Sequence, residues 1–147
     1  MAYWLVKSEP FKYPWDRMVA DGVTHWNGVR NYQASNNLKA MRLGDRAFFY
    51  HSNEGLEIVG VVEVVREYYP DPSDEKGRFG MVDVRAVASA AIPVTLKQIK
   101  ADPELADMAL IRQSRLSVCP VTESQWNHIS RLAGMTEDAD GGCAVPA

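Results

Sequence analysis

The feature that most limits the fold is a block of three β-prone runs in the middle of the chain. Arg46 to His51 reads Arg-Ala-Phe-Phe-Tyr-His. Ile58 to Tyr68 is almost wholly apolar on one face, with Glu63 and Arg66 breaking the run. Met81 to Ala88 alternates Val82, Val84 and Ala86 against Asp83 and Arg85, the period-two pattern of a half-buried strand. Pro70-Asp71-Pro72-Ser73-Asp74-Glu75-Lys76-Gly77 separates the last two runs, and a loop so rich in breakers joins them as a long hairpin. A hairpin with an apolar face must be covered, so the flanking segments have to supply the cover.

Those segments read as one more strand and several short helices. Ala2 to Lys7 is β-prone. Pro14 suits a first helical position, and the helix it opens runs to about Ala20, with Gly22 as its stop. Thr24 to Arg30 is turn-rich, with room for a short strand. Asn31 is placed to cap a helix from Tyr32 to Arg42, ended by Gly44. Thr95 with Gln98, and Thr122 with Gln125, have capping-box spacing, the second before a helix that runs to Ala133 and stops at Gly134. Asp102-Pro103 predicts a helix to about Ile111, and Leu116 to Val121 a last strand. The expectation is an α+β domain around a curled sheet, spanning residues 1–135. Residues 136–147 are small, acidic and Gly-rich, and are expected to be a disordered tail.

Charge and cysteine content narrow the function. The 147 residues carry a net charge of −3. Leaving out the tail's Glu137, Asp138 and Asp140 leaves 16 acidic against 16 basic residues, so the body is neutral. A neutral body argues for a small, focused nucleic-acid contact rather than a surface that coats a duplex. Cys119 and Cys143 show no CxxC or CxxH spacing, so no metal site is expected. No apolar stretch approaches the roughly 20 residues a membrane helix needs, and no signal-peptide pattern opens the chain. A cytoplasmic monomer without a cofactor is the expectation.

Polar and aromatic residues gather at element ends, where loops carry function on a rigid scaffold. They form four segments: Lys7-Ser8-Glu9-Pro10, Trp26 to Gln33, Phe48 to Ser52, and Arg112-Gln113-Ser114-Arg115. Their chemistry suits a nucleobase. Trp26, Tyr32 and Tyr50 offer stacking faces. Asn27, Asn31, Gln33 and Gln113 offer paired donors and acceptors. Lys7, Arg30, Arg112 and Arg115 offer cations for phosphate. Each also has a plainer reading. Trp4 and Trp126 are expected in the core and Trp15 on a helix face. Trp26 reads equally as core, Arg30 and Arg115 as partners of Glu9 or Asp45, His51 as a structural histidine and Asn31 as a cap.

The strings Tyr3 to Pro10, Trp26-Asn27-Gly28-Val29-Arg30-Asn31-Tyr32-Gln33-Ala34, Phe48 to Ser52, Tyr69 to Pro72 and Ala109 to Val118 together resemble the EVE domain over roughly residues 2–133. The resemblance implies a PUA-like mixed β pseudo-barrel flanked by short helices, with kinship to YTH and ASCH domains. It implies a reader of a modified base, either modified cytosine in DNA or a modified base in RNA. Carried over by position, the base pocket is Lys7, Ser8, Trp26, Asn27 and Asn31, with Tyr50, His51 and Ser52 as a further wall. Arg30, Arg112, Gln113 and Arg115 are the implied phosphate or backbone contacts. Asn27 stands where an Asp is common in the family. The alternative is an enzyme acting on a modified nucleotide or nucleic acid, with His51, Ser52, Glu9 and Asp107 as imagined acid, nucleophile and base. Against it, the sequence has no GxSxG, HExxH or Gly-rich phosphate loop.

Overall fold

The computed structural model describes residues 1–137 and 143–144. Among the described residues, eight strands and five α-helices follow in order: β1 (Tyr3–Ser8), α1 (Trp15–Asp21), β2 (Val23–Trp26), α2 (Tyr32–Ala40), β3 (Arg46–His51), β4 (Glu57–Pro70), β5 (Gly80–Thr95), α3 (Leu96–Ala101), α4 (Ala109–Arg112), β6 (Val118–Val121), α5 (Glu123–Leu132), β7 (Thr136–Glu137) and β8 (Cys143–Ala144). The expected disordered tail lies outside the described residues except for β7 and β8, which pair with each other. No described helix is long and apolar enough to cross a membrane.

The first six strands form one open sheet in the order β2-β5-β4-β3-β1-β6. Only β1 with β3 is parallel, in the register Tyr3 opposite Arg46 through Ser8 opposite His51. The long hairpin is β4 with β5, and four register shifts interrupt its ladder. Such bulges bend a strand and raise its twist. The sheet curls enough for β2, at one edge, to face the interior strands. The Trp26 ring of β2 meets the Phe49 ring of β3 edge-on at 5.6 Å, although β5 and β4 lie between them in the ladder. This α+β architecture is the expected pseudo-barrel, left open between β2 and β6.

Strand alternation divides β3 between two cores. Phe48 stacks on Trp126 of α5 at 3.9 Å, and Tyr3 covers the other side of that indole at 4.5 Å. Phe49 points the other way, onto Trp15 at 5.1 Å. Trp15 lies flat on β4, because a Cβ at Gly60 would fall 2.3 Å from its ring. Trp4 is also buried, and its indole N–H donates to the buried carboxylate of Asp45 at 3.1 Å.

Several boundaries differ from the sequence reading, among them the start of β6 at Val118 rather than Leu116. α2 ends at Ala40 rather than Arg42, as Met41 turns to extended backbone. β5 runs on past Ala88 to Thr95. Pro93 is tolerated because it sits inside a bulge, between the Ser89–Gly60 and Val94–Ile58 pairs. The helix expected from Asp102-Pro103 to Ile111 is two pieces, a 3-10 turn at Pro103–Leu105 and α4. Leu105, Met108 and Leu110 are all buried, and spacings of three and then two cannot share one helix face.

Candidate nucleic-acid interface

The chain between β2 and α2 is a tight polar turn. Gly28 takes φ +79°, a conformation that costs other residues strain. Asn31 then caps α2, its side-chain oxygen accepting from the Ala34 N–H at 2.9 Å. The cap uses the oxygen and leaves the amide N–H groups without a partner among the described residues.

A buried carboxylate from the far loop fixes this turn. Asp71 follows β4 and is 2% exposed. Its Oδ2 accepts from the Gly28 N–H at 2.8 Å and from Arg30 at 3.2 Å. Its Oδ1 accepts from the Ser73 N–H at 2.8 Å and the Ser73 hydroxyl at 2.6 Å. Burial alone would raise the Asp71 pKa, but these donors from Ser73, Gly28 and Arg30 outweigh it and hold it down to about 2. Arg30 is anchored further by Ser73 Oγ at 2.9 Å and lies 5.8 Å over the Phe79 ring.

The turn forms one side of a cleft of about 480 Å3, within the roughly 300–1,000 Å3 range of small-ligand sites. Lys7, Ser8, Trp26, Asn27, Arg30 and Asn31 all line it, with Tyr13, Thr24, His25, Gly28, Val29 and Ser117. The lining contains Lys7 and Arg30 but no carboxylate. Trp26 is 9% exposed, so it offers the cleft one small part of its ring while the rest packs in the core. Ser8 donates its hydroxyl to the Tyr13 carbonyl at 2.6 Å. Lys7 Nζ donates to the Ser114 carbonyl at 2.8 Å, and burial lowers its pKa.

Tyr50, His51 and Ser52 are not in this cleft. Successive strand residues point to opposite faces, so the three cannot form one wall. His51 lies on the Phe49 side, where its Nε2 accepts from the Trp15 N–H at 3.0 Å. Burial lowers its pKa against the upward pull of Glu57 and Asp16, consistent with a neutral acceptor. Tyr50 and Ser52 line a separate cavity of about 530 Å3, with Lys7, Glu9, Lys100, Arg115 and Ser117 among its walls. The imagined catalytic set is therefore dispersed. Glu9 and Ser52 share that cavity, His51 supports α1, and Asp107 pairs with Arg112 at 2.5 Å.

The segment 112–117 closes the interface. Gln113 accepts from Gln33 at 2.6 Å. Arg112, Gln113 and Arg115 line a shallow depression that reaches Asn31. Arg115 is exposed and, unlike Arg30 and Arg112, has no carboxylate partner among the described residues. The alternatives Glu9 and Asp45 are engaged elsewhere. Glu9 pairs with Lys12 at 3.4 Å, and Asp45 holds Trp4 and the backbone of Ala2 and Arg42. Among the described residues, Asp102, Glu104 and His128 bring metal-ligand atoms within 4.8 Å of one another, away from the cleft lining. Each imidazole nitrogen already faces a different carboxylate, Nε2 to Asp102 at 2.5 Å and Nδ1 to Glu104 at 2.9 Å.

Sequence reasoning missed Asp71 as a site residue, although the string Tyr69 to Pro72 contained it. It also missed Tyr13, Thr24 and Ser117. The Asp-x-Ser spacing of an Asx turn was a signal available for Asp71.

A curled six-stranded sheet with one parallel pair, carrying an open cleft between the end of β1 and the turn before α2, defines a PUA-like domain. The chain belongs to the EVE domain family, which it matches over residues 2–132. It is 36% identical over 164 residues to thymocyte nuclear protein 1 of Gallus gallus, a match that covers 88% of this chain and 68% of that protein. It is similar to the NMR structure of Rpa0253 from Rhodopseudomonas palustris, with 54% identity, TM-score 0.87 and coverage of 91% and 94% of the two chains. The crystal structure of human THYN1 in complex with DNA containing 5-methylcytosine is similar at 34% identity and TM-score 0.84, covering 90% of this chain and 98% of that one.

Proposed function

We propose that this protein is a non-catalytic reader that holds one modified base of a nucleic acid in the Trp26 cleft, and that the base is a methylated cytosine in DNA. The observation that carries the reading is the cleft lining. It joins part of an indole face, Asn31 amide donors that are unpartnered among the described residues, and the Lys7 ammonium, while Arg30 is paired with Asp71 behind the turn. The similarity to human THYN1, whose crystal structure contains 5-methylcytosine DNA, favours DNA and that base over a modified base in RNA. A flipped base would slide its face against Trp26 and turn its edge toward Asn27 and Asn31, while the phosphates stay at the rim near Arg115.

Titrating fluorescent single strands with one 5-methylcytosine, one cytosine or one N6-methyladenine, in DNA and in RNA, tests the reading. The methylated-cytosine DNA is expected to bind best, and Trp26→Ala is expected to weaken it by about 1–3 kcal/mol. Because Trp26 also packs on Phe49, Trp26→Phe accompanies it to keep a flat ring in a folded protein. Equal binding of all strands by the wild type would overturn the reading. Mass spectrometry of the recovered strands checks that no product forms.

A further inference from the structure

We infer that the second cavity, between Tyr50 and Lys100, takes the neighbouring nucleotide of the same strand. The inference rests on the base-reading function proposed above. Lys7 and Ser117 line both cavities, so a strand leaving the Trp26 cleft meets the second one across that shared wall. The second cavity has the two surfaces a nucleotide needs. Leu56, Leu96, Leu110 and Ile111 supply an apolar wall for a base, and Lys100 and Arg115 supply cations for its phosphates.

A hydroxyl without a partner also belongs to that lining. Tyr50 is 2% exposed, and its hydroxyl has no hydrogen-bond partner among the described residues. The ring is buried while its oxygen belongs to the cavity lining, so the hydroxyl is available to a ligand as donor or acceptor. Burial pushes its pKa up to about 12, which keeps it a neutral donor. The only carboxylate in the lining, Glu9, is offset by Lys12. The same cavity shares Ser114 and Arg115 with the depression that reaches back to Asn31. The depressions thus adjoin one another around the 112–117 segment, through the shared residues Lys7, Ser117, Asn31, Ser114 and Arg115.

The test compares 5-methyl-2′-deoxycytidine 5′-monophosphate with dinucleotides that add thymidine on its 3′ or its 5′ side, by calorimetry at fixed salt. One dinucleotide is expected to bind about tenfold tighter than the mononucleotide, the gain of one stacked base. The double variant Lys100→Ala with Leu56→Asn strips the second cavity at two exposed positions. Asn suits the positive φ of residue 56, which is +36°. In that variant the gain is expected to shrink to less than about threefold, while the mononucleotide binds as before. Tyr50→Phe should lower the dinucleotide alone. Dinucleotides no tighter than the mononucleotide, or a gain that survives the double variant, would overturn the inference. If methylated and unmethylated mononucleotides bind alike but the length gain still depends on Lys100 and Leu56, the modified-base reading fails and the second cavity stands. If no mononucleotide or dinucleotide binds, both fall.

Discussion

The two sides of the Trp26 cleft are held in opposite ways. On one side, the turn 27–31 is tied to a buried anion: Asp71 accepts four hydrogen bonds, two of them from Gly28 and Arg30. On the other, the segment 112–117 is held by the Lys7 contact to the Ser114 carbonyl, the Gln33 contact to Gln113 and its own turn, with its cationic side chains in water. The first arrangement fixes donors in direction, which discrimination between base edges requires. The second leaves Arg115 free to follow a phosphate, a contact that needs charge more than direction. A cation is therefore not a phosphate ligand merely by being near a cleft. Arg30 is largely a structural partner of Asp71, and Arg115 is the better phosphate contact.

The sharpest way to break this comparison is Asp71→Ala. It removes the acceptor for Gly28, Arg30 and Ser73, and is expected to lower unfolding stability by at least about 2–3 kcal/mol and to abolish discrimination between bases. Urea titration and the strand panel measure the two effects. A loss below about 1 kcal/mol would mean that the turn stands without its anion.

Acid is the milder version of the same test. The Asp71 carboxyl is depressed from an ordinary 3.8 to about 2, so its contribution is fully present above about pH 4. Stability should then fall as pH drops from about 4 toward 2, and Asp71→Asn should flatten that part of the curve. Asn31→Ala comes next. Loss of the α2 cap is expected to cost about 1 kcal/mol, and loss of the amide should narrow the gap between methylated cytosine and other bases. Arg115→Ala should be smallest. It is expected to weaken all strands alike, a few-fold, and to reduce the log–log salt slope by about 0.7 for single strands. A selective loss with one base would move Arg115 to the discriminating side.

Much of this was legible in the sequence because local chemistry decides it. β3 appears at its expected bounds, and Asn31, Thr95 and Thr122 cap the helices that their spacing announced. What depended on distant partners was not legible. Asp71 reaches the Gly28 turn across 43 residues, and nothing local marks that contact. The second half of β5 was hidden by Ala and Pro residues, which only the bulged pairing with β4 makes compatible with a strand. The resemblance implied one wall from Tyr50, His51 and Ser52, whereas the period of a strand sends neighbours to opposite faces. The similarity to the EVE domain supplied what periodicity does not, the curl that brings β2 toward β1.

The placing of β1 between β3, its parallel neighbour, and β6, its antiparallel one, has a consequence for biosynthesis. Tyr3 lies beside Val121, so the first strand made is flanked by one of the last. A ribosome must deliver nearly the whole domain before β1 gains its second neighbour, and Ser117, which lines both cavities, emerges with it. Contacts this distant slow folding and expose an unpaired edge meanwhile. A nascent chain halted before residue 117 would carry the Trp26 turn without Ser117 and without β6 to flank β1, whose Lys7 and Ser8 line the cleft, so ligand capture must await completion of the domain.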